Sequence, residues 1–390
     1  MESYRTELFF IALAAALAPV LAQLPNRFRL PIVVVELLLG IFIGPHILNL
    51  VNADGLVGTM GELGLTFLLF MVGLEINFKE IQGKTLALAV GGWFLSLTVA
   101  MVFMFIANSL DLIKTPLLAA VALSTTALGV LAPILRDKGV LETEFGKLLL
   151  SVAAMGELGP LLAISFLIIP EHSPVLLTLF MIVFAGIILL SAYMATQVRS
   201  SKIIDLLAQT MQSSGQLPVR VCIVLQALLV VLAAKFGFNV VIGAFAAGMV
   251  VSLASEGEGG VMLRQKLDAI GYGFLIPFFF IVAGMKFELS ALWASPATPV
   301  EIIGLLVLLF VIRGAPVFLY GQALAQNEKL PFALYSATGL PLIVIITELG
   351  ITSGLMAPDK GAVLVCTGMI SVFLFPILAE NLLRKNNDKL

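Results

Sequence analysis

The sequence predicts an all-α polytopic membrane protein, an inverted repeat built around two discontinuous helices that cross. Three observations carry that reading. Of 390 residues, 60% are hydrophobic and 12% charged, against about 25% charged in soluble domains, and mean hydropathy is +1.10. Two apolar segments have helix breakers at corresponding places. Glu157 and Arg313 lie deep inside apolar runs. Helices are the expected spanning elements, because lipid offers backbone groups no water.

Turn residues and charges divide the chain into thirteen apolar segments. The first, 7–23, runs into Pro25, Asn26, Arg27, Phe28 and Arg29 without a small-residue cleavage site, so it reads as a helix and not a signal peptide. The second (31–48) and third (61–77) carry Glu36 and Glu75 near their ends, within reach of water or snorkelling. The fourth spans 85–107. The fifth, 115–135, contains PLLAAVALSTTALGVLAPIL, with Ser124, Thr125 and Thr126 in the middle and then Gly129 and Pro133. The sixth, 146–169, carries Glu157 near its centre. The seventh, 174–195, precedes the longest polar connection, 196–215, whose IIDLLAQTM stretch suits a short interfacial helix. The eighth to tenth span 216–235, 239–254 and 271–287. The eleventh, 299–323, holds Arg313. The twelfth, 331–352, reads PFALYSATGLPLIVIITELG, with Thr338, Gly339 and Pro341 in the middle, and the thirteenth spans 361–383.

An odd count puts the termini on opposite sides, and Lys and Arg decide which. With the C-terminus cytoplasmic, the outside holds Arg5, Lys114, Lys235, Lys286 and Lys360. Arg313 lies within a segment, and the remaining sixteen of the twenty-two Lys and Arg are cytoplasmic. The expected orientation is N-terminus outside and C-terminus inside, in the cell (inner) membrane. A net charge of −2 and a pI near 5.8 give a nucleic-acid partner no support. Cys222 and Cys366 sit far apart in apolar segments and read as packing residues. His46 and His172 form no metal motif. No nucleotide motif or nucleophile triad stands out, so neither an enzyme nor a cofactor is expected, nor a soluble domain beyond the tail RKNNDKL.

Pro removes an N–H and crowds the preceding turn, and small hydroxylated residues can satisfy the groups this frees. Segments 4–6 and 11–13 form two triplets, each with its interrupted helix in the middle, running in opposite directions. That pattern points to an inverted repeat with a site near the midplane, where half-helix ends offer partial charges and free carbonyls. Glu157 lies about eleven residues into its segment and Arg313 about fourteen into its own, which puts them at similar depth. Intramembrane ionisable residues are functional candidates. A structural Glu–Arg pair is the bland alternative, although desolvation offsets much of its attraction. Glu348 lies roughly 10 Å beyond Pro341 towards the outside, as a funnel residue or the partner of an outer cation.

Four ordered motifs carry a family resemblance: LPIVVVELLLGIFIGP (30–45), ELGLTFLLFMVGLEIN (62–77), LSTTALGVLAPILRDKG (123–139) and FLIPFFFIVAGMKFE (274–288). Together they resemble the monovalent cation/proton antiporter superfamily, in its potassium-efflux and sodium/proton exchanger branch. The resemblance implies a homodimer of thirteen-helix protomers working as an elevator. Its ion-transport core would comprise about 85–169 and 299–383, and its dimerisation helices about 7–77 and 174–287. The chain departs from that pattern in three places. Gly156-Glu157 stands where relatives have Asp-Asp, Asn-Asp or Gln-Asp. Arg313 stands where electrogenic members have Lys. GLPLI stands where many have a Gly-Glu-Phe-like stretch. The nucleotide-binding regulatory domain of potassium-efflux relatives is not seen, so its control is not carried over.

These readings combine into one expectation. Glu157 binds either a proton or Na⁺ or K⁺, with carbonyls and hydroxyls around Ser124, Thr125 and Thr126 as further ligands. Arg313 compensates charge, and Gly156, Thr338 and Glu348 are accessory candidates. Arg does not release its proton as Lys can, so a single titrating carboxylate implies electroneutral 1:1 exchange. A proton-uncoupled cation channel and an organic-anion transporter using Arg313 are the competing readings.

Overall fold

The computed structural model describes residues 3–23, 30–75, 83–110, 113, 115–137, 139–141, 143–167, 213–236, 240–255, 257–293, 295–321 and 323–387, with the isolated positions 186, 190, 193 and 210. Among these residues the regular structure is entirely helical. Nine helices among the described residues are long and apolar enough to cross a membrane, and Ile32–Ile43, Pro116–Leu131 and Val240–Ala254 are shorter apolar ones. Twelve of the expected segments thus have helical counterparts. The seventh, the interfacial stretch 203–211 and His172 lie outside the described residues, apart from isolated positions.

The chain forms two compact units. The first comprises Met1–Ala53, Lys79–Leu167 and Ile281–Leu390. It opens with α1 (Ser3–Gln23) and α2 (Ile32–Ile43). Ala18 and Ala22 of α1 pack on Val35 of α2. A Cβ on Gly40 of α2 would meet the Ile281 carbonyl at 2.1 Å, and one on Gly284 would meet that of Leu37 at 2.2 Å. Small residues let two backbones approach this closely. Glu36, beside Leu37 in the same helix, is 4% exposed and not at a wetted end as the sequence suggests.

The second unit comprises Asp54–Phe78 and Ile168–Phe280. Within it, α3 (Gly55–Glu75) lies against Val240–Ala254. A Cβ on Gly73 would meet Phe245 O at 2.2 Å, and one on Gly248 would meet Phe70 O at 2.0 Å. Glu75 accepts from Tyr272 Oη at 3.0 Å.

The remainder of the first unit holds the two interrupted helices. α4 (Gly83–Ser109) precedes α5 (Pro116–Leu123), which stops at Ser124. Ser124–Ala127 is non-helical, and α6 (Leu128–Asp137) follows. α7 (Glu144–Leu167) closes the first triplet. In the second triplet, Thr298–Gly314 precedes Lys329–Ser336, a break at Ala337–Leu340, Pro341–Thr352 and Pro358–Asn387.

Pro341 is the first residue of its half-helix, where the N–H it lacks would have had no partner in any case. Gly339 lies inside the second break. Gly129 and Pro133 do not form the first break, because both fall within α6. The break lies upstream, where the free amides at the start of α6 find partners outside their own helix.

Candidate functional site

Glu157 is 2% exposed on α7. Its Oε1 accepts the N–H of Leu128, the first residue of α6, at 2.9 Å. The carboxylate therefore stands at a half-helix N-terminus, where unpaired amides and the helix dipole favour negative charge. The residue before it contributes as well: Gly156 O accepts from Thr126 N–H at 3.1 Å. Two successive residues of α7 thus hold the first break.

The crossing itself is a hydrogen bond between the breaks, from Ala127 N–H to Thr338 O at 2.7 Å. Thr338 Oγ1 turns back to Leu334 O at 3.4 Å. Gly339 packs against the other break, since a Cβ there would stand 3.1 Å from Thr125 Oγ1. On the far side, Gly339 N–H donates to Ser371 Oγ at 3.2 Å.

Arg313, 1% exposed, fastens these parts together. Its Nε donates to Thr126 Oγ1 at 2.8 Å and to Ser336 O at 3.3 Å. Its Nη1 donates to Ser96 Oγ of α4 at 3.1 Å. Ser96 donates onward to Ile312 O at 2.9 Å, and Thr126 to Ser336 O at 2.6 Å. A buried guanidinium is tolerated when its donors are used. The third donor, Nη2, has no hydrogen-bond partner among the described residues and lies 3.0 Å from where a Cβ on Gly156 would be. The structure thus brings Arg313 to the residue beside Glu157.

The expected hydroxyls divide in two. Ser124 Oγ donates to Val121 O at 2.8 Å and Thr125 Oγ1 to Ala122 O at 2.9 Å. Each keeps lone pairs to offer a ligand. Thr126 both donates to Ser336 and accepts from Arg313, so it serves the scaffold. Glu348 lies outside the crossing, 2.7 Å from Lys286 in a partly exposed pair.

Sequence reasoning missed Ser96, Ser336 and Ser371. Each is a hydroxyl in an apolar helix, a usable signal whose target is visible only in three dimensions. No group of three or more His, Cys, Asp or Glu that could hold a metal ion occurs among the described residues. The site offers the Glu157 carboxylate, hydroxyls and backbone oxygens, all hard oxygen ligands.

The family model described as "Sodium/hydrogen exchanger, transmembrane" matches residues 12–385. YjbQ of Bacillus subtilis is 29% identical, over 98% of this chain and 63% of that protein. The Na⁺/H⁺-K⁺ antiporter GerN of Bacillus cereus is 24% identical, over 95% of each chain. Cation/H⁺ antiporter 19 of Arabidopsis thaliana is 25% identical, and this chain covers 48% of its length. The solved structure of the sodium proton antiporter MjNhaP1 from Methanocaldococcus jannaschii shares the fold, with TM-score 0.69 and 17% identity over 97% of this chain and 96% of that one. A match that runs over nearly every helix described above means that this chain belongs to the transmembrane sodium/hydrogen exchanger family.

Proposed function

We propose that the chain is a secondary active antiporter that exchanges Na⁺ or K⁺ for H⁺, with Glu157 as the shared carrier. The observation that carries this reading is a buried carboxylate at a half-helix N-terminus, inside a crossing of two broken helices. Leu128 N–H steadies Oε1 in either loaded state. A proton on the carboxyl neutralises it, and so does a monovalent cation held with oxygens of Ser124 and Thr125. The empty carboxylate is charged and disfavoured across the membrane. Loaded forms therefore move and the empty form does not, which makes exchange obligatory.

Arg313 takes no cargo in this account. Its bonds to Thr126, Ser96 and Ser336 support a fixed compensating charge over a seat for an organic anion. Guanidinium keeps its proton at physiological pH, so one carrier gives electroneutral 1:1 exchange. A homodimer in the cell membrane, N-terminus outside, is part of the same proposal, with an elevator core of about 85–169 and 299–383 moving against the remaining helices.

The test is a proteoliposome assay with a trapped pH dye, adding Na⁺, K⁺ or Li⁺, with Glu157→Gln alongside. The reading requires a cation-driven pH change in the native protein and none in the variant. Exchange that survives the substitution removes Glu157 as carrier, and passive flux without proton coupling supports a channel instead.

A further inference from the structure

Both backbone polar groups of Gly339, inside the second break, turn to one side chain. The Gly339 N–H donates to Ser371 Oγ at 3.2 Å, and Ser371 Oγ lies 3.0 Å from the Gly339 carbonyl oxygen. Ser371 is fully buried on the helix Pro358–Asn387. Its hydroxyl has one proton, for which Gly368 O competes at 2.8 Å. Gly368 makes room for the same peptide, because a Cβ there would stand 2.9 Å from Gly339 O.

Gly339 is in turn packed against the first break. A Cβ on it would lie 3.1 Å from Thr125 Oγ1 and 3.4 Å from Thr125 O. Two residues further on, Ala127 N–H bonds to Thr338 O, and the next amide bonds to Glu157. Contacts therefore run from Ser371 through Gly339 to Thr125, and the chain from Thr125 to Leu128 carries them on to the carboxylate.

Ser371 also answers to Glu157 in the repeat. Each sits on the third helix of its triplet and accepts a backbone N–H from the interrupted helix, 29 residues away for Glu157 and 32 for Ser371. Thr367, one turn earlier and equally buried, shows what an ordinary hydroxyl does in the same helix: it donates to Val363 O at 2.8 Å and stays within its own backbone.

We propose that Ser371 is a positioning residue for the cation site, clamping the Gly339 peptide and thereby setting where the Thr125 oxygens stand relative to Glu157. The inference rests on the reading of Glu157 and Thr125 as cation ligands. Ser371 touches neither cation nor proton. Its removal therefore weakens cation binding and leaves the maximal exchange rate in place.

The experiment compares Ser371→Ala with Thr367→Ala, which deletes a buried hydroxyl that does not reach the break. Gly368→Ala presses on the Gly339 carbonyl from the same helix. Each full-length variant is assayed for exchange against Na⁺ and K⁺ concentration, and for the rise in Tm on adding either cation. Cation binding to the folded state raises Tm, so a variant too impaired to transport is still read.

Ser371→Ala and Gly368→Ala are expected to raise the half-saturating cation concentration about tenfold, the scale of one buried hydrogen bond. Thr367→Ala is expected to match the native protein. Half-saturation in Ser371→Ala equal to that of Thr367→Ala overturns the inference, as does a lower maximal rate at unchanged half-saturation. Exchange that survives Glu157→Gln overturns instead the reading beneath it.

Discussion

Two interrupted helices meet in one unit of this protein, and different chemistry holds each. At Ser124–Ala127 the neighbouring helix supplies a carboxylate, Glu157, to the amide of Leu128. At Ala337–Leu340 the corresponding helix supplies a hydroxyl, Ser371, to the amide of Gly339. Both groups satisfy backbone donors that a broken helix leaves open. Only the carboxylate can also exchange a proton for a cation. On the proposed reading, the two triplets thus build similar breaks that meet in one crossing, and only one break is chargeable. On that reading the second half frames the first, with the Arg313 hydrogen bonds joining them.

The largest expected effect comes from erasing that difference. Glu157→Gln leaves an acceptor for Leu128 but no titrating group, so both breaks become neutral. Cation-driven pH change should fall to the level of protein-free liposomes, while Tm stays near the native value. Next comes Arg313→Met, which keeps the bulk and removes the donors to Thr126, Ser96 and Ser336. Losing these buried hydrogen bonds to a charged group should cost about 3 kcal/mol, seen as a lower Tm, together with loss of exchange.

Gly156→Ala comes third and strains the first break alone. The new methyl would stand 2.9 Å from Thr126 Cβ and 3.0 Å from Arg313 Nη2. Overpacking of this kind costs roughly 1–3 kcal/mol. A Tm equal to the native value would show that Arg313 is free to move aside, which weakens its role as a fixed fastener. The smallest effect belongs to Lys286→Met, which breaks the partly exposed pair with Glu348. Such pairs contribute about 1 kcal/mol or less, so Tm and half-saturation should both stay close to native. A large transport defect there would move Glu348 from the periphery into the mechanism.

Much of this was legible in the sequence because apolar length and charge placement are one-dimensional signals. Hydropathy marked the helices, and burial of Glu157 and Arg313 followed from their positions inside apolar runs. The positions of the breaks were only half legible. Gly339 and Pro341 mark the second one, since Pro suits a helix start. Gly129 and Pro133 misplace the first, which is set by amides reaching Thr338, Gly156 and Glu157 in other helices. The hydroxyls followed the same logic. Ser124, Thr125 and Thr126 look alike in a row, yet Thr126 alone is engaged by Arg313, from 187 residues away. Ser371 carries no sequence signal beyond being polar in an apolar helix, because its meaning lies in the glycine it faces.

The claim that only one break is chargeable is tested most directly by charge movement. Purified protein in liposomes is given a Na⁺ or K⁺ gradient at zero membrane potential, and pH change and net current are recorded together. The account predicts a pH change with no net charge transferred per cycle. Net charge transferred with the exchange, after subtraction of the leak in Glu157→Gln liposomes, would contradict it and require a second carrier besides Glu157.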